Sequence, residues 1–508
     1  MAKEISSVKL NQASLSSLPP GVRVPAYDRG GLQQHIVHLG VGGFHRAHQA
    51  VYLDDLLALA DTERWGETGI GVLPSDIRMR DALRGQDFLY TVVERSAAEQ
   101  SARVIGSLTG YIYAPEDREG AIERMAARST RIVSLTITEG GYYIDESTGE
   151  FVAGHPDIQH DLHHLDQPSS SIGLVAEALD RRRLRGLPPF TLMSCDNLQE
   201  NGHVARRVML AYTGLSNSAL QQWIAETVAF PNSMVDRITP ATTPEDLAFV
   251  AERFGIEDAW PVMTEPFRQW VIEDHFSNGR PEWERVGAQL IGDVAPFETM
   301  KIRLLNGSHL AMAYLGALIG FTYVHEIMAD PLFVSFVEAF MDQVTPIVPN
   351  IPGTSVADYK KTLLERFSNP NIRDQVTRIC SEGSAKMPKW LLPSITELLE
   401  RDGNISLLVL VVASWIFYFG QGTNERGQPL EVVDARAAEL IGLARSKPMD
   451  PRPMLAEKTI FGERLPANPS FVKAVDDAIS MLSVKGVDAT MRHALSSLIP
   501  RSIRDSPL

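Results

Sequence analysis

The segment His35-Ile-Val-His-Leu39, running directly into Gly40-Val-Gly42-Gly43, restricts the fold more than any other stretch of this chain. Its first five residues read as a short buried strand. Beyond the glycines, Ala50, Val51, Leu53, Leu56 and Leu57 follow helical spacing. Strand, glycine turn and helix form a phosphate-cradling unit. The glycines let the backbone approach a pyrophosphate, and the helix N-terminus supplies N–H donors and a positive dipole end. His45 stands where the third glycine of G-x-G-x-x-G belongs, so a purely structural turn remains an alternative at this point. Gly69-Ile-Gly-Val-Leu73 is expected to form the second strand and to end near Asp76, a carboxylate suited to the adenosine ribose hydroxyls. The spacing from Gly40 exceeds the usual ~20 residues and calls for a long first crossover. Arg78 and Arg80 follow closely, and an arginine there is equally able to receive a 2′-phosphate, so the choice between NAD and NADP leans to NAD without being fixed.

A second informative run is Lys301-Ile-Arg-Leu-Leu-Asn306-Gly-Ser-His309. Read as an α-helix, it puts Lys301, Asn306 and His309 within an arc of roughly 140°, shared with Ile302 and Leu305. A lysine held in such a pocket loses hydration, which disfavours the ammonium and lowers its pKa toward neutrality. It can then take a proton from a hydroxyl, while the Asn306 amide donates to the resulting oxygen. A solvated lysine, a capping asparagine and a satisfied histidine at a helix end present the same residue types. Glu298 precedes Lys301 by about one turn; it reads as a surface carboxylate, or else as a proton relay to the lysine.

Short apolar strands at about 36–39, 69–73, 132–137 and 190–194 alternate with helical stretches, as in a mostly parallel sheet. After about residue 290 helical periodicity takes over, in Leu310 to Leu318, Leu332 to Val344, Val356 to Phe367 and Ile405 to Phe419. The expected organisation is therefore α/β over 1–291, including an N-terminal extension, and mainly α-helical over 292–508, with the boundary near Gly292. Asn197 follows the strand-like run Phe190-Thr-Leu-Met-Ser194 and would sit at its carboxyl end, where open α/β sheets place ligands. Its alternative is a plain turn residue.

A net charge of −15, from 48 basic and 63 acidic residues, argues against a nucleic-acid or anionic-membrane partner, and neither a basic arm nor a basic patch stands out. The run Arg181-Arg-Arg-Leu-Arg185 reads as a helix end before Gly186. Cys195 and Cys380 lack a nearby partner, which excludes a disulfide framework and a cysteine zinc site. No apolar core follows the N-terminal Met-Ala-Lys-Glu, so no signal peptide is expected. Ile405 to Phe419 falls short of the ~20 residues that span a bilayer and reads as a buried helix. A cytoplasmic protein follows. Asp161-Leu-His-His164, with His155 and His160, reads as an exposed loop, or as an opportunistic metal binder.

Five ordered signatures carry a family resemblance: Gly42-Gly-Phe-His-Arg-Ala-His-Gln49, Thr138-Glu-Gly-Gly-Tyr-Tyr143, Ser194-Cys-Asp-Asn-Leu198, Asn232-Ser-Met-Val-Asp-Arg-Ile-Thr239 and Lys301 to His309. Together the chain resembles the polyol-specific long-chain dehydrogenases, from about Val37 to the C-terminal region, with the first thirty residues or so uncovered. The resemblance implies a Rossmann-type N-terminal domain, a helical C-terminal domain and an active site in the cleft between them. It implies a monomeric, zinc-independent enzyme that interconverts mannitol and fructose with NAD as cofactor and holds no metal. Carried onto matching positions, Lys301 becomes the general acid/base, Asn197 and Asn306 polarise the reacting oxygen, and His309 and Asp236 hold substrate hydroxyls. Arg378 and Lys386 match less tightly the basic residues aimed at the substrate's far end. Cofactor contacts are expected from Val37, Gly40, Gly42, Gly43, Phe44, His45, His48, Asp76 and Thr138. Asp236 also reads as half of a surface pair with Arg237. An arabinitol dehydrogenase or a fructuronate reductase would use the same lysine and asparagines. A binding protein without turnover would have lost them.

Overall fold

Five consecutive buried residues, Ile36 to Leu39 preceded by His35, sit in the strand Gln33–Leu39 (β1). Such a run suits a strand covered on both faces, and β1 occupies the centre of a five-stranded parallel sheet. Its other members are Trp65–Gly71 (β2), Leu108–Tyr113 (β3), Ile132–Leu135 (β4) and Thr191–Ser194 (β5), in the order β3-β2-β1-β4-β5. The direction of winding reverses between β1 and β4, which is the switch point where open sheets take ligands beyond the strands' carboxyl ends. The computed structural model describes residues 7–145 and 148–498, and the chain divides into two compact units, Met1–Ala295 and Pro296–Leu508.

The expected long first crossover is present, as two short helices. Gly43–Ala47 (α1) and Gln49–Leu57 (α2) are separated by His48, whose φ of −119° and ψ of −86° break the helix. Its buried ring is held by the Gln269 carbonyl oxygen, 2.8 Å from Nε2. Across the sheet lie Arg118–Ala126 (α3), capped by Asp117, and Ser171–Leu184 (α4), capped by Ser170. Each cap side chain accepts from a first-turn amide, a contact worth about 1 kcal/mol. The arginine run does end α4. Arg181 and Arg185 pair with Glu119 and Glu123, and Arg182 is fully buried against carbonyl oxygens of Pro188 and Ala127, so no basic patch results.

Several strands are absent from the apolar pattern. The second sheet strand begins at Trp65 and ends at Gly71, displaced from the expected 69–73, because its first half, though buried, contains Glu67 and Thr68. The edge strand β3 is hidden by Thr109 and Gly110. Two three-stranded sheets complete the unit. One joins Tyr90–Arg95 to Gln100–Ile105 and Val262–Thr264; the other joins Gln269–Glu273 to Ser233–Asp236 and Gln289–Ile291. The N-terminal extension belongs to this unit: Val8–Lys9 pairs with Ile256–Glu257, and the Tyr27 hydroxyl donates to Asp54 at 2.5 Å. The expected loop at Asp161 to His164 is instead largely helix, Pro156–His163. Asp161 is fully buried there and accepts from the Ser169 and Ser170 amides at 2.7 and 2.9 Å.

The second unit is helical. Ala295–Lys301 (α5) leads through a π turn, Ile302–Asn306, into Gly307–Ile319 (α6), which is buried along nearly its whole length. Pro331–Val344 (α7) and Ser406–Gly420 (α8) pack against α6, and Pro469–Leu498 (α9), broken at Gly486, packs along α8. Helix α8 contains the long apolar run as a buried helix, each large side chain contributing about 1.5–3 kcal/mol of burial. Among the described residues no helix is long and apolar enough to cross a membrane.

Both cysteines are free and buried, and burial pushes both thiols upward in pKa, which suppresses the reactive thiolate. A thiol-titrating reagent should find no reactive sulfur in the native protein and two after denaturation, matching the two cysteines present. Fast labelling of the native chain would contradict this burial.

Candidate active site

In the first unit the expected cofactor turn is built on a glycine that nothing else can replace. Gly40 has φ +89°, and a Cβ there would stand 2.1 Å from the carbonyl oxygen of Thr136 at the end of β4. The chain passes this point only because that atom is missing. Thr136 Oγ1 donates to the Gly40 carbonyl oxygen at 2.7 Å. Having spent its hydrogen, Thr136 Oγ1 accepts from His38 Nε2–H at 2.8 Å, which leaves His38 Nδ1 to accept from Ser134 Oγ at 2.8 Å. Burial, with His45 beside it, keeps His38 well below the usual imidazole pKa, so this neutral tautomer is the stable one.

His45 takes the place of the third glycine by lying flat on His38, with ring centroids 3.6 Å apart and planes 10° apart, while its Nε2 meets Glu67 Oε1 at 2.9 Å. His38, His45 and Glu67 form the one group of metal-ligating residue types that converges among the described residues. Stacked rings direct their in-plane lone pairs side by side and not at a common point, and both His38 nitrogens are already hydrogen-bonded. The cluster is better suited to bracing the turn than to holding an ion.

Val37, His45 and His48, three of the expected cofactor contacts, are fully buried around the turn. Gly40, Gly42, Gly43, Phe44 and Thr138 keep open surface. Asp76, half-buried, uses Oδ2 to accept from the Val72 and Leu73 amides, each at 2.9 Å, which fixes the loop after β2. Arg80 pairs with Asp81 and Glu116, and Arg78 lies over the Trp260 ring.

Asn197 is exposed just past β5. The preceding residue, Asp196, is buried and was overlooked in the sequence. Its carboxylate accepts from the Thr138 amide at 2.8 Å, the Ile137 amide at 3.1 Å and the Tyr142 hydroxyl at 2.7 Å. Burial pushes it up to about 6 even with these donors. Asn201, also overlooked, donates to the Asp196 carbonyl oxygen at 3.0 Å and to the Ser233 carbonyl oxygen at 2.8 Å. It thereby joins the Asn197 turn to the strand that ends in Asp236. The surface-pair alternative for Asp236 fails. Asp236 and Arg237 are both buried, and Arg237 pairs with Glu94 at 2.6 Å and donates to the Ala47 carbonyl oxygen at 2.5 Å.

In the second unit Lys301, Asn306 and His309 are 7%, 5% and 7% exposed, which removes the solvated-lysine alternative. The α-helical arc is also corrected. The Gly307 amide bonds to the Ile302 carbonyl oxygen, five residues back, and a π turn of this kind brings residues five apart toward the same side of the helix. Asn306 therefore lies closer in direction to Lys301 than an α-helix allows. His309 packs its ring against Phe367, 4.9 Å between centroids. Glu298, expected at the surface, is 5% exposed. Arg378 and Lys386 are neighbours: Lys386 Nζ donates to the Ile379 carbonyl oxygen at 3.1 Å and lies over Trp390. Arg378, on the exposed side of its helix, is clasped at two nitrogens by Asp374, each at 2.6 Å.

A parallel sheet with a glycine turn at its switch point, followed by a helical unit carrying a buried lysine beside an asparagine and a histidine, defines a two-domain Rossmann-type dehydrogenase. The chain belongs to the mannitol dehydrogenase family. The model of the mannitol dehydrogenase Rossmann domain matches residues 34–285, and that of the mannitol dehydrogenase C-terminal domain matches residues 293–483. Mannitol 2-dehydrogenase of Aspergillus fumigatus is 47% identical over 498 residues, covering 96% of this chain and 99% of that protein. Among solved structures, Pseudomonas fluorescens mannitol 2-dehydrogenase in ternary complex with NAD and D-mannitol is 46% identical, with a TM-score of 0.89 and coverage of 96% of this chain and 100% of that one. A substrate-free D-sorbitol dehydrogenase is 34% identical, with a TM-score of 0.87 and coverage of 95% and 100%.

Proposed function

We propose that this protein interconverts D-mannitol and D-fructose with NAD, without a metal, using Lys301 as general acid/base. The observation that carries the reading is the relative bound to both NAD and D-mannitol, 46% identical over nearly the whole chain. The first unit suits a dinucleotide: Gly42 is exposed in the turn, where even a Cβ would meet nothing closer than 3.9 Å, and Asp76 has a second carboxylate oxygen beyond the one fixing its loop. When bound, NAD supplies the hydride-accepting chemistry. Lys301 removes the hydroxyl proton as the carbinol is oxidised and returns it in reduction. Asn306, brought toward Lys301 by the π turn, donates to the oxygen on which negative charge develops, and Asn197 is assigned the same role. Such donors act most strongly on the transition state. His309 and Asp236 hold the other hydroxyls, and Lys386 and Arg378 serve the far end of the polyol.

A uronate substrate is disfavoured, because the Arg378 guanidinium is already neutralised by Asp374. NADP is disfavoured because Asp76 would face its 2′-phosphate while Arg80 is engaged with two carboxylates. The test is parallel kinetics with mannitol plus NAD and fructose plus NADH, against NADP(H), fructuronate, arabinitol and sorbitol. We expect mannitol with NAD to give the highest kcat/KM for oxidation. Preference for fructuronate or NADPH would overturn the substrate or cofactor assignment respectively.

A further inference from the structure

Thr138 holds the most unusual backbone near the switch point. Its φ of +61° and ψ of 172° fall in a region that is essentially reserved for glycine, and a β-branched residue there is a true outlier. Strain of this kind persists only where the surroundings impose it, and it concentrates at ligand-clamping sites. Thr138 follows β4, one of the two strands that flank the switch point, and is exposed. What imposes its conformation is visible: the two carboxylate oxygens of Asp196 receive the Ile137 and Thr138 amides, and the Tyr142 hydroxyl, which itself accepts from the Ser194 hydroxyl at 2.6 Å, donates to the same carboxylate.

We infer that Asp196 is a positioning residue, whose buried carboxylate holds Thr138 in its strained, dinucleotide-facing conformation and fixes the adjoining Asn197 turn to the same point. One side chain thus sets the ends of β4 and β5 relative to each other. Burial is costly for a carboxylate, and the upward pKa displacement to about 6 reflects that cost being borne in exchange for three donors. An asparagine at this position keeps the size but presents one oxygen and an amide donor to the two backbone N–H groups, so one of them is left without an acceptor. The inference rests on the dinucleotide reading of the first unit and goes beyond it, because it concerns a buried residue to which that reading assigns no contact with cofactor or substrate.

The experiment compares NADH binding by fluorescence titration, steady-state KM for NAD, kcat and thermal melting in the wild type, Asp196→Asn, Thr138→Gly and the double variant. Asp196→Asn should weaken NADH binding and raise KM for NAD roughly tenfold, the scale set by strain of this type. In the Thr138→Gly background, where the backbone adopts this conformation unaided, the same substitution should cost clearly less. A role confined to general folding would lower the melting temperature and leave KM for NAD unchanged in the folded fraction; that outcome, or an equal penalty in both backgrounds, overturns the inference. If Asp196→Asn does not fold, Tyr142→Phe removes one donor and retains the carboxylate. It should give a smaller rise in KM for NAD, and an unchanged KM there counts against the clamp. Because the readout is nucleotide binding, it is independent of which polyol the enzyme prefers.

Discussion

Lys301→Ala should lower mannitol oxidation by at least ~10²-fold, the usual cost of losing a positioned general base, or about 2.7 kcal/mol in the barrier. The lysine is buried on the same helical run as Asn306 and His309, so neither water nor a neighbouring turn readily substitutes for it. The loss should fall on kcat, since the amine acts on the proton and not on polyol binding. NADH binding should remain close to wild type, because the glycine turn and Asp76 belong to the other unit. A purified, folded Lys301→Ala protein with near-normal turnover would remove the lysine from this role. Partial recovery with added small primary amines would support it.

The second large effect is expected at Gly40. Alanine there places a Cβ 2.1 Å from the Thr136 carbonyl oxygen in a backbone with φ +89°, so the turn has to move or the strands have to part. The strained backbone alone costs about 1–3 kcal/mol, and the clash adds to it. Moving the turn also disturbs the Thr136–His38–Ser134 chain beneath it. NADH affinity should fall at least ~10-fold, equivalent to 1.4 kcal/mol, together with a lower denaturation midpoint. The contrast with Lys301→Ala is the useful part: one variant should retain nucleotide and lose chemistry, the other should lose nucleotide. Wild-type NADH affinity in Gly40→Ala would show that the ligand does not use this turn.

The two groups of candidate residues, one in each unit, differ in how much of them could be read from the chain. Lys301, Asn306 and His309 lie within nine consecutive residues, so their common face follows from local helical geometry, and only the π turn modifies it. The glycine turn is likewise local, a strand running into Gly40 with a helix beyond. By contrast, Asp196 acts on a backbone 58 residues away in sequence, and Glu67 on a histidine 22 residues away. No periodicity marks such a pair before folding has brought its members together. Burial misled in the same way. Glu298 reads as a surface carboxylate and Asp236 as half of a surface pair, because a charged side chain is usually exposed. Each is 5% exposed in the folded chain. The strand β2 was displaced in the apolar pattern for a related reason, since its buried Glu67 is tolerated only because His45 lies opposite.

By itself, then, the sequence determined the α/β-then-helical order, the glycine turn that a dinucleotide requires and the grouping of an amine, an amide and an imidazole on one helix, all of which depend on neighbours a few residues apart. Only the tertiary structure decided which polar groups are buried, that Val37, His45 and His48 lie fully buried around the turn, and that the Asp196 carboxylate receives the amide of Thr138, whose backbone is glycine-like. Those outcomes depend on hydrogen bonds and packing between residues far apart in sequence, whose partners exist only once the sheet has formed.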